Sequence, residues 1–436
     1  MRSIHKSLTI TTIRTACLAV LLSCSGEPTS TVTPPPPPPI ETPVTGAAMP
    51  GMGAFDQSVI DLMKKYNIPG GAIAFAREGK LIYARGFGYA DVENKTPVQP
   101  DALFRIASVS KPITSAAVMT LIQDGKLKLD DRVAPLIAHL APAPGATVDP
   151  RWEQITIRHL LDHSAGWDRD KPGGFDPMFQ SAIAAAAVNA PAPASAETII
   201  RWMKGKPLDF NPGEKWVYSN FGYDILGRVI ERLSGMPYEQ YVRTRVLQPV
   251  GANRTRLGKS RMSDALPSEV KYYVGALGVN APLVPSVFPG EGAVPLNYGG
   301  YYLEATDSHG GWVSSTVDLL RFVNGVDGRA SPPDILEPET VTEMTTNGPT
   351  VCSDGTCYYA GGWWVRPVQS GATWWHGGDY AGTKAMLVRS YYNVSWVALF
   401  NTGAPNSLIS ELESALWNSL NTITSFPTND LFSTFP

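Results

Sequence analysis

The stretch FRIASVSKPITSAAVMTLIQDG, residues 104–125, joins a pair of reactive side chains to a long apolar helix. Ser108 and Lys111 are three residues apart, so near the start of a helix they lie on one face, one turn from each other. A serine hydroxyl becomes a good nucleophile when a neighbouring base removes its proton, and a lysine can do so if burial favours its neutral form. Ser108 and Lys111 are therefore candidates for a nucleophile and its base.

Ser-x-x-Lys is a weak pattern by itself, and the chain contains it twice more, at Ser3 to Lys6 and at Ser268 to Lys271. On spacing alone, a helix cap with a solvated lysine is the simpler interpretation of Ser108. Context favours Ser108, because the first copy lies in a candidate export signal and the second in a loop-rich region. Ser108, by contrast, opens a long apolar helix.

Two further motifs follow along the chain. Tyr218-Ser219-Asn220 lies where a loop enters a predicted helix, so Tyr218 could relay a proton and the Asn220 amide could bind a substrate carbonyl. His376-Gly377-Gly378 lies just before a predicted strand, where glycines let a substrate approach the backbone and His376 could orient a carboxylate or a proton relay. Taken singly, each motif is as well explained by a structural role.

Hydrophobic periodicity places the predicted strands at the two ends of the chain. Strands are predicted at residues 72–76, 81–87, 358–365, 383–388 and 396–400, and helices at residues 55–66, 108–122 and 408–420. The middle, from about residue 130 to residue 306, is typical of helical patches separated by Pro/Gly-rich loops. We therefore expect an α/β protein of the α+β type, with one antiparallel sheet built from both ends and a mostly helical region inserted between them.

The N-terminal segment predicts export. Residues 1–24 run from a basic start into a short apolar stretch that is too brief to span a bilayer. The end of this segment is similar to a bacterial lipoprotein cleavage box, in which Cys24 would carry the lipid; an ordinary cleaved signal is the alternative. Residues 25–53, rich in Pro and Thr, predict a disordered tether, so the folded domain is expected at 54–436.

Two cysteines near the C-terminal strands support the same compartment. Cys352 and Cys357 bracket a turn-forming stretch, which would let a hairpin close a disulfide outside the cytoplasm. We therefore expect a periplasmic or cell-surface protein whose contact with a membrane is through an N-terminal lipid only.

Several classes of function are excluded. The net charge of −3 and the charged fraction of 17 % provide no basic stripe for nucleic acid. His159 and His163 are four residues apart and could share a metal, but no Glu directly follows His159 and no cysteine is near, so a structural role is favoured. The sequence also lacks a Gly-x-Ser-x-Gly elbow, a phosphate loop and a dinucleotide fingerprint. We expect no metal and no organic cofactor.

Taken together, Ser-x-x-Lys, Tyr-x-Asn and His-Gly-Gly occur in this order across one unit. The chain thereby resembles the class C β-lactamase group and its relatives, namely family VIII carboxylesterases, D-aminopeptidases and DD-peptidases. Residues 155–166 and 310–315 are similar to segments common in that group. The resemblance covers roughly residues 55–420 and implies a β-lactamase/transpeptidase-like fold with helices on both faces of the sheet.

The resemblance also implies roles for the motif residues. It implies a nucleophile, a shared general base and a substrate-holding amide, namely Ser108, Lys111 with Tyr218, and Asn220. The oxyanion hole would be formed by the backbone N–H groups of Ser108 and Asp379. Many β-lactamases carry Lys-Thr-Gly where this chain has His376-Gly377-Gly378, and loss of that lysine shifts the expectation from β-lactams towards esters or peptides.

The expected function is hydrolysis of carboxylic esters through an acyl-enzyme on Ser108. A β-lactamase, or a D-amino-acid peptidase or DD-carboxypeptidase, is the alternative within the same chemistry. A non-catalytic lipoprotein that binds cell-wall fragments is the alternative of another class. The combination of Ser108, Lys111 and Tyr218 argues against it, because a pure binding protein does not need all three.

Overall fold

The computed structural model describes residues 42–274, 281–369 and 371–436. Its strands are β1 (Val44–Thr45), β2 (Gly70–Arg77), β3 (Lys80–Asp91), β4 (Thr96–Pro97), β5 (Phe104–Arg105), β6 (Arg256–Leu257), β7 (Leu283–Pro285), β8 (Ala293–Pro295), β9 (Trp312–Ser314), β10 (Tyr358–Ala360), β11 (Trp363–Val368), β12 (Gly371–Tyr380), β13 (Thr383–Arg389) and β14 (Val394–Phe400). The main sheet is antiparallel and has the order β1-β3-β2-β14-β13-β12-β11-β10, with β4 beside β3. The predicted sheet built from both ends of the chain is therefore confirmed.

Helices cover this sheet and are the main regular elements of the inserted region, where they alternate with long loops. They are α1 (Gly53–Lys65), α2 (Ser110–Gln123), α3 (Val133–Leu136), α4 (Ile157–Leu161), α5 (Ser181–Ala187), α6 (Ala196–Met203), α7 (Asn220–Ser234), α8 (Tyr238–Val242), α9 (Thr316–Asn324), α10 (Pro338–Thr345) and α11 (Asn406–Leu420). Short 3-10 turns include Ala107–Val109 and Pro177–Phe179. None of the helices described here is long and apolar enough to cross a bilayer.

The alternation of side chains along β2 explains why helices lie on both faces of the sheet. Ile73 and Phe75 point to one face, where they pack in a cluster with residues of α1 and α11. Ala72 and Ala74 point to the other face and belong to the cluster that holds α2 and the inserted helices. Because successive strand residues point to opposite faces, a strand buried on both sides is continuously apolar.

The β2–β3 hairpin follows from its turn residues. Glu78 and Gly79, between the two strands, have φ values of 52° and 78°. Two central residues with positive φ form the type of tight turn that matches the twist of an antiparallel hairpin. The turn predicted at residues 77–80 is thereby confirmed, and both strands extend beyond the predicted bounds.

The N-terminal segment departs from the prediction. The tether predicted to reach residue 53 instead enters the fold, because Val44 and Thr45 pair with Phe87 and Gly86 on the edge of the sheet. Met49 and Met52 are buried as well. An edge strand needs only backbone partners, so a segment with few apolar residues can still join a sheet. Cys24, the predicted signal at 1–24 and the tether up to residue 41 lie outside the described residues.

The third motif lies before the predicted strand at residues 383–388, which is present as β13, but it also has a strand of its own. His376, Gly377 and Gly378 are inside β12, which was not predicted. Glycines disfavour strands, so the sequence pattern did not indicate β12. Its pairing with β13 over the length of the motif compensates for that low intrinsic preference.

Candidate active site

Ser108 lies in the 3-10 turn Ala107–Val109, two residues before α2 begins at Ser110. The predicted helix start at Ser108 is therefore corrected to a turn that leads into the helix. Ala107 is fully buried and has a φ of 45°, a left-handed conformation that is uncommon outside glycine. Such conformations persist where the surrounding structure enforces them, often at functional sites. Ser108 itself is only partly buried and can be reached from outside.

The absence of a side chain at Gly378 allows this turn to pack directly against the sheet. A Cβ atom at Gly378 would lie 2.1 Å from the carbonyl oxygen of Ile106, which is far inside contact distance. Only glycine therefore lets β12 pass so close to the chain just before Ser108. At Gly377, by contrast, the nearest atoms to an added Cβ would be 3.8 Å away, which is ordinary van der Waals contact.

Lys111 is fully buried beside Ser108. Its Nζ lies 3.1 Å from Ser108 Oγ, 2.7 Å from Asn220 Oδ1 and 3.0 Å from the His309 carbonyl oxygen. Burial first, and the Arg169 charge second, lower the Lys111 pKa well below its usual range, while Asp176 raises it. A neutral amine can donate its two N–H groups to the two carbonyl-type oxygens. Its lone pair then faces the Ser108 hydroxyl, which is the geometry that a general base requires.

Tyr218 lies next to the same two residues. Burial raises the pKa of Tyr218 well above its ordinary value, and a hydrogen bond with the Ser108 side chain opposes part of that rise. Lys111 Nζ lies 4.7 Å from the centroid of the Tyr218 ring, and the His163 ring centroid lies 4.3 Å away. A phenol in this state keeps its proton at neutral pH, so Tyr218 can pass a proton on while Lys111 accepts one.

Asn220 begins α7, whose first turn is capped by the Ser219 hydroxyl accepting from the Gly222 N–H. The Asn220 amide is buried and has partners on both sides. Its Oδ1 accepts from Lys111, and its Nδ2 donates to Asp176 Oδ2 at 2.6 Å. The expected contact with a substrate carbonyl would thus have to use the remaining N–H, and the contacts present orient the base.

His376 lies in the interior of β12 with both ring nitrogens occupied. Its Nδ1 lies 2.6 Å from the Gly377 carbonyl oxygen and its Nε2 lies 3.0 Å from the Tyr359 hydroxyl. The carbonyl oxygen only accepts, so Nδ1 carries the proton and Nε2 accepts from Tyr359. Burial and the Lys111 charge lower the pKa of His376 to about 3. A neutral imidazole bound in this way carries no positive charge for a carboxylate, and the other role considered from sequence, orienting a proton relay, stays a prediction.

Asp379 follows the glycines on β12 and pairs with Lys384 of β13. Its side chain is exposed and lies 3.1 Å from Lys384 Nζ. Its backbone N–H remains, with that of Ser108, the predicted oxyanion donor.

A small pocket of about 130 Å³ opens beside Tyr218 and Asn220. Two residues of its wall, Arg169 and Asp176, were not anticipated from the sequence. Arg169 donates to Asp176 Oδ2 at 2.9 Å, and its guanidinium lies 5.0 Å from the centroid of the Tyr218 ring. They lie in a loop without periodicity, so no sequence signal marked them.

The remaining candidates have structural partners. His159 Nδ1 accepts from the Thr156 N–H, and His163 Nδ1 accepts from the Ser219 N–H, so the two rings do not converge on one point. The described residues hold no cluster of His, Cys, Asp and Glu that could bind a metal. Cys352 and Cys357 are joined by a disulfide, with their Cα atoms 5.2 Å apart.

Known proteins with similar sequences or folds include penicillin-binding proteins and an esterase. Penicillin-binding protein 4* of Bacillus subtilis (strain 168) is 30% identical over 323 residues, which cover 73% of this chain and 65% of that protein. Esterase EstB of Burkholderia gladioli is 32% identical over 197 residues, which cover 45% of this chain and 48% of that protein. The chain thus matches less than two thirds of the length of either relative.

A solved structure gives the same picture of the fold. The octameric penicillin-binding protein homologue from Pyrococcus abyssi has a TM-score of 0.65 at 25% identity, covering 84% of this chain and 77% of that chain. The sequence model of the Beta-lactamase family matches residues 55–416, which is most of the chain. These matches confirm the resemblance inferred from the three motifs. The chain therefore belongs to the Beta-lactamase family.

Proposed function

We propose that this protein is a serine hydrolase, which cleaves carboxylic esters of small molecules through an acyl-enzyme on Ser108. The observation that carries the proposal is the contact of the partly exposed Ser108 hydroxyl with a buried, hydrogen-bonded Lys111 whose pKa is strongly lowered. A neutral lysine at this position can take the serine proton at the moment of attack.

The proposed reaction has two steps. In acylation, Ser108 Oγ attacks the ester carbonyl carbon while Lys111 takes its proton; Tyr218 gives its own proton to the departing alkoxide as the C–O bond breaks, and the Lys111 ammonium returns one to Tyr218. In deacylation, water attacks the acyl carbon and gives a proton to Lys111 and Tyr218. The same pair returns that proton to Ser108 Oγ as the acyl–oxygen bond breaks, which releases the acid and free Ser108. The negative charge on the carbonyl oxygen would be stabilised by the backbone N–H groups of Ser108 and Asp379.

The environment of His376 supports esters over substrates that need a cation to bind a carboxylate. The third motif offers a neutral imidazole whose nitrogens contact Tyr359 and Gly377. The similarity to Esterase EstB points the same way. The similarity to Penicillin-binding protein 4* keeps β-lactams as an alternative substrate. D-amino-acid peptides are the other alternative within the same chemistry, and a wall-binding protein without turnover is the alternative outside catalysis.

Mass spectrometry and turnover assays test this proposal. The purified full chain is treated with a fluorophosphonate, and hydrolysis of a short-chain p-nitrophenyl ester and of a chromogenic β-lactam is followed separately. We expect an adduct on Ser108, with ester turnover that is lost in Ser108→Ala. Faster β-lactam hydrolysis would favour the alternative substrates, and absence of both adduct and turnover would leave a binding protein.

We also propose that the protein is exported and anchored through a lipid on Cys24. The basic and apolar pattern of residues 1–24 and the disulfide between Cys352 and Cys357 support this location. Labelling with an alkyne fatty acid in a bacterial host tests it, with Cys24→Ala expected to lose the label and Cys17→Ala, within the same segment, to keep it. A label independent of Cys24 would exclude the anchor.

A further inference from the structure

We propose that Asp176 is a positioning residue, which fixes the Asn220 amide and, through it, the amine of Lys111 that serves Ser108. An unbroken series of side-chain contacts carries the inference. Asp176 Oδ2 lies 2.6 Å from Asn220 Nδ2, Asn220 Oδ1 lies 2.7 Å from Lys111 Nζ, and Lys111 Nζ lies 3.1 Å from Ser108 Oγ. The inference builds on the acyl-enzyme function proposed above.

The carboxylate decides which way the Asn220 amide faces. An ionised carboxylate only accepts hydrogen bonds, so the amide must present its NH₂ group to Asp176 and its oxygen to Lys111. The opposite orientation would direct an N–H at the lysine amine and compete with Ser108 for its lone pair. Asn220 is 6% exposed, so little water is available to replace Asp176 as the partner.

Asp176 is itself held firmly enough to act on Asn220. Its Oδ1 accepts from the Met178 N–H at 3.1 Å, which caps the 3-10 turn Pro177–Phe179. Its Oδ2 also accepts from Arg169. The same carboxylate therefore connects the loop that forms the pocket wall to the base of the reaction.

Asp176 also contributes the negative charge in the surroundings of Lys111. Arg169 lowers the Lys111 pKa and Asp176 raises it. The other titratable neighbours are neutral near pH 7, because burial lowers the pKa of each imidazole and raises that of each phenol; these are His163, His309, His376, Tyr218 and Tyr223. Removing the Asp176 charge should therefore let Lys111 stay neutral to lower pH.

Three variants of the full chain test this role. Asp176→Ala removes the hydrogen-bond acceptor, whereas Asp176→Asn keeps an amide oxygen that can accept from Asn220 but removes the charge. Asp170→Asn is the matched control, because it removes the same charge from an exposed position in the same loop. Asp170 Oδ1 also lies 3.9 Å from Arg169 Nε, so this variant controls for the loss of a negative charge beside Arg169. For each protein, kcat and KM for a p-nitrophenyl ester are measured against pH, and the active fraction is titrated with a fluorophosphonate.

We expect Asp176→Ala to lower kcat on the order of 100-fold with KM nearly unchanged, because a misplaced catalytic group costs rate more than binding. Asp176→Asn should recover at least about tenfold of that loss, and the acidic limb of its kcat/KM profile should move to lower pH. Asp170→Asn should match the wild type.

Two results would overturn the proposed role of Asp176 and leave the proposed acyl-enzyme function intact. One is an Asp176→Ala enzyme within about twofold of the wild-type kcat. The other is an equal loss in both Asp176 variants, with an unmoved pH profile and a matching fall in the titrated active fraction, which would mean that Asp176 only folds the loop. A wild type that neither reacts with fluorophosphonate nor hydrolyses the ester would instead overturn the proposed function, and this inference with it.

Discussion

The sheet and the inserted region contribute to one site by different means. The sheet side positions Ser108 through backbone packing, since β12 lies against the turn at Ile106 with room for no side chain at Gly378. The inserted region supplies Tyr218, Asn220 and Asp176 from a loop and a helix start, and these act through side-chain hydrogen bonds. The comparison indicates that the position of Ser108 is fixed by close packing, whereas the proton affinity of Lys111, its proposed base, is set by replaceable side chains.

Lys111 is where the two regions meet, so its replacement should have the largest effect. Lys111→Met keeps the buried stem and removes the amine that contacts Ser108, Asn220 and His309. We expect kcat for a p-nitrophenyl ester to fall by about 10²- to 10⁴-fold, the range for loss of a general base. Circular dichroism and thermal melting serve as the control, and an active Lys111→Met enzyme would assign the base to another residue.

A substitution at Gly378 tests the contribution of the sheet to the position of Ser108 without changing the inserted region. Gly378→Ala would force a Cβ to within 2.1 Å of the Ile106 oxygen, so the strand or the turn must move. We expect the free energy of unfolding to fall by about 1–3 kcal/mol, as for overpacked interiors, with a parallel loss of activity. Gly377→Ala is the matched control, and urea titration and ester turnover of both variants measure the difference. Equal behaviour of the two would contradict close packing as the means of positioning Ser108.

The sheet was largely predictable because its signals are local. The β2–β3 hairpin has its turn residues, and strands buried on both faces are apolar throughout. Most strands of the main sheet and the order of the three motifs could therefore be derived from the sequence, although the strand predicted at residues 358–365 is divided into β10 and β11. The strand β12 was missed because glycines carry no strand preference. The packing of Gly378 against Ile106 joins residues far apart in the chain, and no local pattern encodes such a contact.

The inserted region was predictable only where a motif marks it. Tyr218 and Asn220 were found because their spacing is typical of a known group. Arg169 and Asp176 were not, because the contact of Asp176 with Asn220 spans 44 residues and depends on the tertiary course of an irregular loop. The sequence could not fix the functions of Asn220 and His376 either, because each side chain has hydrogen-bond partners that only the fold brings near.

The pH dependence of stability gives another comparison of the two regions, because His376 lies in the sheet and His139 lies in the inserted region. The pKa of His376 is lowered from an ordinary 6.5 to about 3 in the folded protein, so the unfolded chain binds the extra proton first as the pH falls. The stability that depends on neutral His376 is therefore complete above about pH 6.5 and is lost between about pH 6.5 and 3.

Urea unfolding across this range should show a shallower fall in stability for His376→Asn than for the wild type. The difference in slope is at most about 1.4 kcal/mol per pH unit for one proton. His139→Asn, in the inserted region, is the control because His139 is exposed. Identical slopes in wild type and His376→Asn would mean that His376 is charged in the folded protein.

The smallest expected effect concerns the rim of the site, where the inserted region faces the end of β12. Phe179 is 41% exposed, and its ring centroid lies 5.9 Å from that of Tyr301 and 6.0 Å from that of Tyr380. Tyr380 directly follows Asp379, the predicted oxyanion residue, so an acyl chain bound to Ser108 would extend near these rings.

Phe179→Ala should therefore raise KM for a p-nitrophenyl octanoate by about 2- to 10-fold, the effect of one aromatic contact worth about 0.5–1.5 kcal/mol, and leave the acetate unchanged. Ile183→Ala removes a side chain that is 55% exposed from the same region and should change neither substrate. If both esters respond equally to Phe179→Ala, the ring supports the loop that carries Asp176 rather than the acyl chain. The inserted region would then act on the base alone, and the acyl preference would have to be set from the sheet side.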